Sequence, residues 1–424
     1  MKKIALVFFM VLLVAIAHAQ CDGTKRPIVF MHGFLASGDS YAKQIQRFAD
    51  AGYCTDRLFV FDWNSVSGNA KKTDSSLNAF IDSVLIKTGS SQVDLVGHSA
   101  GGGLGRGYLI DSLHSIKVAH YVHLGSGKWF KDLSWYPNAR CLNIYSSADM
   151  VMGGRGGEIE GAKNIDLKDK DHYEVATCLE TFKAIYSFLN NVREARLPDL
   201  PVQEEVYIAG RAVYLGDNTA MDKAIVNIYA VSEKNGHREP RKGTATYYMD
   251  EKGNWGPFLV RTNQHYEIEL VPADAKERKI SYFFEPFKKE DRHIYLRGFP
   301  QGNMISMMLG AIPSREDQSV LVVYSAQKAI IAGRDSVTVN GMPISSEELS
   351  PASKTVISSF IYEDGDSVSS GKMIKQLKLA PFIGGVDISL PVSSKIVNTI
   401  YYNGRVLHLP SVASSQKILL AVFN

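Results

Sequence analysis

Gly97-His98-Ser99-Ala100-Gly101 follows directly on the apolar run Val93-Asp94-Leu95-Val96 and leads straight into Gly102-Gly103-Leu104-Gly105. In order, these residues spell a buried strand, a sharp turn centred on a serine, and the start of a helix. The glycines flank a turn too crowded for a Cβ, and the serine hydroxyl is lifted clear of the sheet edge. A G-x-S-x-G stretch by itself is common, so its surroundings decide what it means.

Those surroundings alternate strand and helix from residue 26 to about 195. Pro27–Met31, Arg57–Phe61, Ala119–Leu124 and Cys141–Tyr145 are short apolar strands, and a further strand lies near Ile165-Asp166-Leu167. Tyr41–Ala51 reads as a helix. Apolar spacing at Leu77, Phe80, Ile81, Val84 and Leu85 gives another, and Val175–Val192 reads as a closing amphipathic helix. Strands that alternate with helices predict a mostly parallel sheet with helices on both faces. A G-x-S-x-G turn in this setting is a nucleophile elbow.

At Arg196-Leu197-Pro198-Asp199-Leu200-Pro201 the character changes, and helical periodicity nearly disappears beyond it. Short β-branched and aromatic runs follow, separated by Gly, Asn, Asp and Pro: Val206–Leu215, Ala224–Val231, Thr244–Met249, Phe258–Arg261 and Tyr266–Val271. They read as a small antiparallel sandwich. After Phe299-Pro300 the runs resume at Val320–Tyr324, Ser336–Val339, Val356–Tyr362, Val386–Leu390, Ile396–Tyr402 and Ile418–Val422. The expected organisation is a signal peptide over 1–19, a hydrolase over 20–198, a β-sandwich over 203–299 and a second β-sandwich-like domain over 300–424.

A serine hydroxyl needs a base, and the base needs an orienting carboxylate. In this fold they follow the serine in the order acid, then histidine. Asp149 lies just past the strand Cys141–Tyr145, where the acid belongs; Glu158 and Glu160, in a Gly-rich loop, are rivals. Asp171 adjoins the base in sequence, so its side chain is expected to point elsewhere. His172 sits on the loop between the last strand and the closing helix, the position of the base. His114, His120 and His123 are less well placed, and His237, His265, His293 and His408 lie in the β region. The oxyanion hole needs backbone N–H donors. Ala100, after the serine, supplies one. Phe34, in the loop Met31-His32-Gly33-Phe34-Leu35 behind the first strand, supplies the second. His32 and His98 read as structural supports.

Pro27-Ile28-Val29-Phe30-Met31-His32-Gly33-Phe34, Val93–Ser99 and above all Ile144-Tyr145-Ser146-Ser147-Ala148-Asp149-Met150 resemble the small secreted lipases of the bacillus lipase A type. Glu160-Gly161-Ala162-Lys163-Asn164, with His172 behind it, is similar too. The resemblance covers less than half the chain. It implies a minimal α/β-hydrolase cleaving acylglycerol and related esters, with Ser99 as nucleophile, His172 as base, Asp149 as orienter, and Phe34 and Ala100 as oxyanion donors. One departure is Ala100, where the small lipases carry methionine; the backbone donor survives and the pocket wall becomes smaller. The long β tail is absent from those enzymes. It resembles, in architecture, larger archaeal and bacterial lipases in which C-terminal β domains are associated with lipid substrate binding.

Met1-Lys2-Lys3, the apolar run Ile4–Ala17 and Ala17-His18-Ala19 have the form of a secretory signal, cleaved near Ala19-Gln20. The run is short for a membrane span, and no later segment is a candidate. A secreted, periplasmic or cell-surface location is expected; an uncleaved N-terminal anchor is the alternative. Gln20 fits poorly as the residue before a lipidated Cys21. Four cysteines in an exported chain suggest disulfides, and of three connectivities Cys21–Cys54 with Cys141–Cys178 joins neighbours; free buried thiols are the alternative. No spacing suggests a metal site and no cofactor is implied. A net charge of +3 with no basic stripe offers nothing to nucleic acid.

The expected partner is therefore a lipid or other ester substrate, and the sequence leaves the oligomeric state open. Trp129, Phe130 and Trp135 lie in the connection after Leu124, and Met304, Met307 and Met308 in a Met-rich stretch. Both are candidate acyl-chain contacts, with core packing as the alternative. That connection is too short for a helical lid, so an open site is expected unless the tail covers it. A polyester hydrolase or an acyltransferase uses the same residues. A non-catalytic surface protein binding lipid or glycan is the reading from another class.

Overall fold

The computed structural model describes residues 21–133, 135–240, 243–299, 306, 309–310, 312–366 and 368–424. The signal-peptide segment and Met304, Met307 and Met308 lie outside the described residues. The hydrolase part is a six-stranded sheet of β1 (Ile28–Met31), β2 (Leu58–Phe61), β3 (Val93–His98), β4 (Val118–Leu124), β5 (Cys141–Tyr145) and β6 (Lys163–Asp166). Every pairing is parallel and the order is β2-β1-β3-β4-β5-β6. The helices are α1 (Ala42–Asp50), α2 (Ala70–Thr88), α3 (Ala100–Tyr108), α4 (Ser112–Ser115), α5 (Glu174–Thr177) and α6 (Leu179–Leu189).

Alternate strand residues face two cores. Phe30, Val96, Val122, Leu142 and Ile144 pack with α1 and α6 through Ile45, Phe48, Phe182 and Ile185. Val29, Met31, Leu95, Tyr121 and Cys141 pack the other way, onto Leu77, Ile81 and Val84 of α2 and Tyr108 of α3. A parallel sheet buried on both faces explains the unbroken apolar strands.

Two expectations are corrected here. The closing helix is broken at Cys178, whose backbone is extended (φ −71°, ψ 164°). Side chains of α1 take the carbonyls at the break: Gln44 donates to Ala176 O and Cys178 O, and Arg47 to Thr177 O. Cys141 and Cys178 are free thiols. Cys141 points into the α2–α3 core, whereas Cys178 caps α6 on the opposite face, so the sheet stands between them. The disulfide Cys21–Cys54 is present and ties the segment before β1 to the turn before β2.

Among the described residues the remainder is mainly β: β7 (Glu205–Tyr214), β8 (Ile225–Val231), β9 (Ala245–Tyr248), β10 (Asn254–Arg261), β11 (His265–Val271), β12 (Lys279–Phe284), β13 (Asp291–Gly298), β14 (Leu321–Ser325), β15 (Val337–Val339), β16 (Met342–Pro343), β17 (Ser358–Tyr362), β18 (Ile383–Asp387), β19 (Val397–Tyr402), β20 (Arg405–Pro410) and β21 (Lys417–Phe423). An eight-stranded sheet, β18-β17-β14-β21-β12-β11-β8-β9, draws on both sides of residue 300. β21 joins its halves, running parallel to both β12 and β14. The three-stranded sheet β10-β7-β13 packs on one half around Trp255, Val260 and Leu296. The four-stranded sheet β16-β15-β19-β20 packs on the other around Ile400, Tyr402 and Leu407. The two sandwiches thus share a layer. A third apolar cluster, with Val320, Val322, Phe360 and Ile418, meets Leu35 of the hydrolase.

Candidate active site

The strand order reverses between β1 and β3, and in open α/β sheets ligands bind at the carboxyl ends of strands where this happens. Both the loop 32–37 and Ser99 emerge at that point. Ser99 adopts φ 53°, ψ −120°, a region L-residues rarely enter, between β3 and the first turn of α3. A Cβ at Gly101 would run into the carbonyls of Met31 and His32, and one at Gly97 into Gly101 itself. The glycines therefore let the elbow press against β1.

Ser99 Oγ lies 2.9 Å from His172 Nε2, and Asp149 Oδ2 lies 2.7 Å from His172 Nδ1. The other carboxylate oxygen, Asp149 Oδ1, accepts from the N–H groups of Val151 (2.9 Å) and Met152 (3.0 Å), which fixes the carboxylate plane. Burial works to raise the Asp149 pKa, but the bond to His172, its charge and the Met152 N–H outweigh burial and hold it below the usual value. Asp149 is buried, whereas Glu158 and Glu160 are exposed. Asp171 turns away: its Oδ1 accepts from Tyr173 N and Glu174 N, and its Oδ2 from Ala329 N and Arg334.

His98 Nε2 donates to the His172 carbonyl at 2.8 Å, with the two rings 4.8 Å apart. Burial, then the neighbouring His172, pushes the His98 pKa down to about 3, so it stays uncharged beside the other imidazole. His32 Nδ1 lies 2.8 Å from Gly33 O, and its Nε2 accepts from Trp63 N at 3.1 Å. Burial lowers its pKa too. Both histidines act as neutral brackets.

A Cβ placed on Gly33 would sit 3.2 Å from Ser99 Cβ, so the 33–34 backbone lies against the serine. Ala100 opens α3, where the first N–H groups have no partner within the helix. Of the aromatic candidates, Trp129 is buried in the α2–α3 core and donates to Asn138 Oδ1 at 2.9 Å, so it is not free to meet substrate. Phe130 and Trp135 are exposed, at 71% and 63%.

Two features escaped the sequence reading. The Phe382 ring, from the β region, stacks on His172 with 8° between planes and centroids 6.1 Å apart. A cavity of about 130 Å³ lies between loop 34–36 and the eight-stranded sheet, walled by Phe34, Leu35, Leu215, Phe299, Phe360 and Phe382. No periodicity signal identifies residues that a sheet of distant strands brings to a site. Among the described residues, the acidic trio Glu363, Asp364 and Asp366 is a possible metal cluster, remote in sequence from the serine site.

A parallel sheet with helices on both faces and a serine at its strained β3 turn defines the α/β-hydrolase class. Within it, residues 25–125 match the family model described as Lipase (class 2), and residues 204–299 match the Lipase C-terminal domain. The match to the class 2 lipase model supports a carboxylic ester hydrolase. Among solved structures it is similar to the mature Bacillus licheniformis lipase BlEst2, at 18% identity over 37% of this chain and 89% of that one (TM-score 0.29). An Exiguobacterium antarcticum esterase gives 13% identity over 40% and 93% (TM-score 0.32). Aspergillus fumigatus lipase B gives 12% over 43% and 57% (TM-score 0.33).

Proposed function

We propose that the protein is an exported lipase or esterase that cleaves fatty acyl esters through an acyl-enzyme on Ser99. The observation that carries this is the hydrogen-bonded chain Ser99–His172–Asp149 at the elbow. Ser99 Oγ attacks the ester carbonyl while His172 Nε2 takes its proton. The carbonyl oxygen gains charge toward the N–H groups of Phe34 and Ala100. His172 then protonates the leaving alkoxide, which departs as the alcohol. The same base activates water, which releases the acid and frees Ser99. Asp149 holds the imidazole tautomer and offsets its transient charge.

The cavity beside Phe34 and Phe382 is the acyl pocket in this reading. Its walls are mainly apolar, and its volume is close to that of an engineered cavity of ~150 Å³ that takes benzene, so it suits a chain of about six carbons. The β region thus supplies part of the substrate site. The export expectation is supported by the N-terminal sequence and is compatible with the Cys21–Cys54 disulfide.

Nitrophenyl esters of increasing chain length test both parts. Turnover should vanish in Ser99→Ala, and kcat/KM of the native enzyme should peak near six carbons. Activity retained by Ser99→Ala would end the proposal; a continuous rise to the longest chains would remove the cavity from it. A fluorophosphonate label on Ser99 separates the hydrolase from a surface binding protein, which should not react.

A further inference from the structure

We infer that Asn218, on a turn of the β region, is a positioning residue for the oxyanion hole; this rests on the reading of Phe34 N–H as a donor. Asn218 lies between β7 and β8, is buried, and adopts a left-handed backbone (φ 56°). Its turn is anchored to the sheet, with Asn218 N donating to Tyr214 O and Leu215 N to Gly298 O. From there the side chain reaches into the hydrolase. Asn218 Nδ2 lies 3.0 Å from Ala36 O, 3.0 Å from Trp63 O and 3.2 Å from His32 Nε2. Its Oδ1 accepts from Ser37 Oγ at 2.5 Å.

An amide nitrogen has two protons. His32 Nε2 already accepts from Trp63 N, so the carbonyls of Ala36 and Trp63 take them. One side chain thereby holds the loop on both sides of its bend, at Ala36 and Ser37, and joins it to the segment after β2. A second strand of the same grip starts two residues earlier. Gly216 O accepts from Ser65 N and Ser65 Oγ, both at 3.2 Å, and Ser65 Oγ in turn accepts from Leu35 N at 3.0 Å. Leu35 is itself left-handed (φ 60°), a conformation uncommon in a bulky non-glycine residue and held here from outside. Phe34, the proposed donor, is enclosed between Gly33, which lies against Ser99, and these two held residues.

A donor aimed at a developing oxyanion works only if its direction is fixed before the reaction. No group of the 216–218 turn is hydrogen-bonded to Ser99, His172 or Asp149. Its influence on the chemistry therefore runs through the loop, and should appear in the transition state rather than in substrate binding or in the titration of the base.

Asn218→Gly deletes the side chain and keeps the left-handed backbone free of strain. Measured on the short nitrophenyl ester in the full-length enzyme, kcat should fall ten- to a hundredfold and KM stay within about twofold. The acid limb of the kcat/KM profile should not move. Affinity for an alkyl boronic acid, whose tetrahedral Ser99 adduct places an oxygen in the hole, should drop by a similar factor. Ser65→Ala should act in the same direction through Leu35. Asp217→Ala, which removes only a cap on Thr219 N from the same turn, should keep native kcat. Native kcat and boronate affinity in Asn218→Gly would overturn the inference. So would a fall in kcat accompanied by a displaced acid limb or an equal loss in Asp217→Ala, because that pattern reports a general loosening. Ser99→Ala, measured alongside, separately tests the underlying hydrolase reading.

Discussion

His98, His32 and His123 are buried imidazoles, and each is used as a neutral strut. Burial lowers all three pKa values, His98 to about 3 and His123 to about 4. An unfolded chain protonates its histidines below about pH 6.5. Between there and about pH 4 the unfolded state therefore binds more protons than the folded one, and stability falls as pH falls. Asp149 acts in a lower window: its depressed pKa adds stability above the ordinary carboxylate value, lost as pH falls through the folded one. Tm recorded from pH 7 down to about 5.5, above the ordinary carboxylate range, should drop continuously. A flat profile would mean that these imidazoles charge in the fold. The residue scale was also the most legible. Ser99, Asp149 and His172 can be found from their order after successive strand ends, because each loop is local to its strand. His98 and His32 also read as supports, but the carbonyls they bond, of His172 and Gly33, leave no trace in the sequence.

At the scale of elements, the loop carrying His172 is gripped from outside the hydrolase. Arg334 Nη1 donates to Asp171 Oδ2 (2.9 Å) and Glu174 Oε2 (2.7 Å), and Ala329 N donates to the same Asp171 oxygen. Thr177 Oγ1 donates to Gln327 O. Arg334→Ala leaves a buried carboxylate without its cation. About 30% of the Arg334 side chain is exposed, so the expected loss is about 1–2 kcal/mol rather than the larger figure for a fully buried pair. A Tm lowered by a few degrees, together with reduced kcat, would bear this out; an unchanged kcat would make the clamp purely structural. The element scale also shows why the Cys141–Cys178 pairing could not be settled from sequence. Cys141-Leu142-Asn143-Ile144 is buried on both faces, so its pattern carries no mark of which residue looks toward α6. Without that mark, proximity in sequence is a poor guide to proximity across a sheet.

For the whole molecule, the strongest constraint is β21. Local runs made most of the β strands legible, but not their order, since pairing between distant strands leaves no local trace. A chain divided at residue 300 reads as two domains; β21, lying between β12 and β14, makes them one body. That body meets the hydrolase through Arg297–Asp39, Arg211–Asp62 and Lys289–Asp50 as well as the clamp at Asp171. Removing residues 417–424 should therefore abolish ester hydrolysis along with the β fold, although it touches none of Ser99, His172 or Asp149. Soluble, active protein from such a truncation would show that the sheet halves stand independently. The position of β21 also sets an order in time. During synthesis the segment bearing Ser99 emerges early, and domains generally fold as they appear. Here the strand that joins the two β halves emerges after every other described strand. The oxyanion loop and the base loop are thus completed only once β21 has emerged, which makes a shorter nascent chain a poor catalyst and delays activity until the sheet has closed.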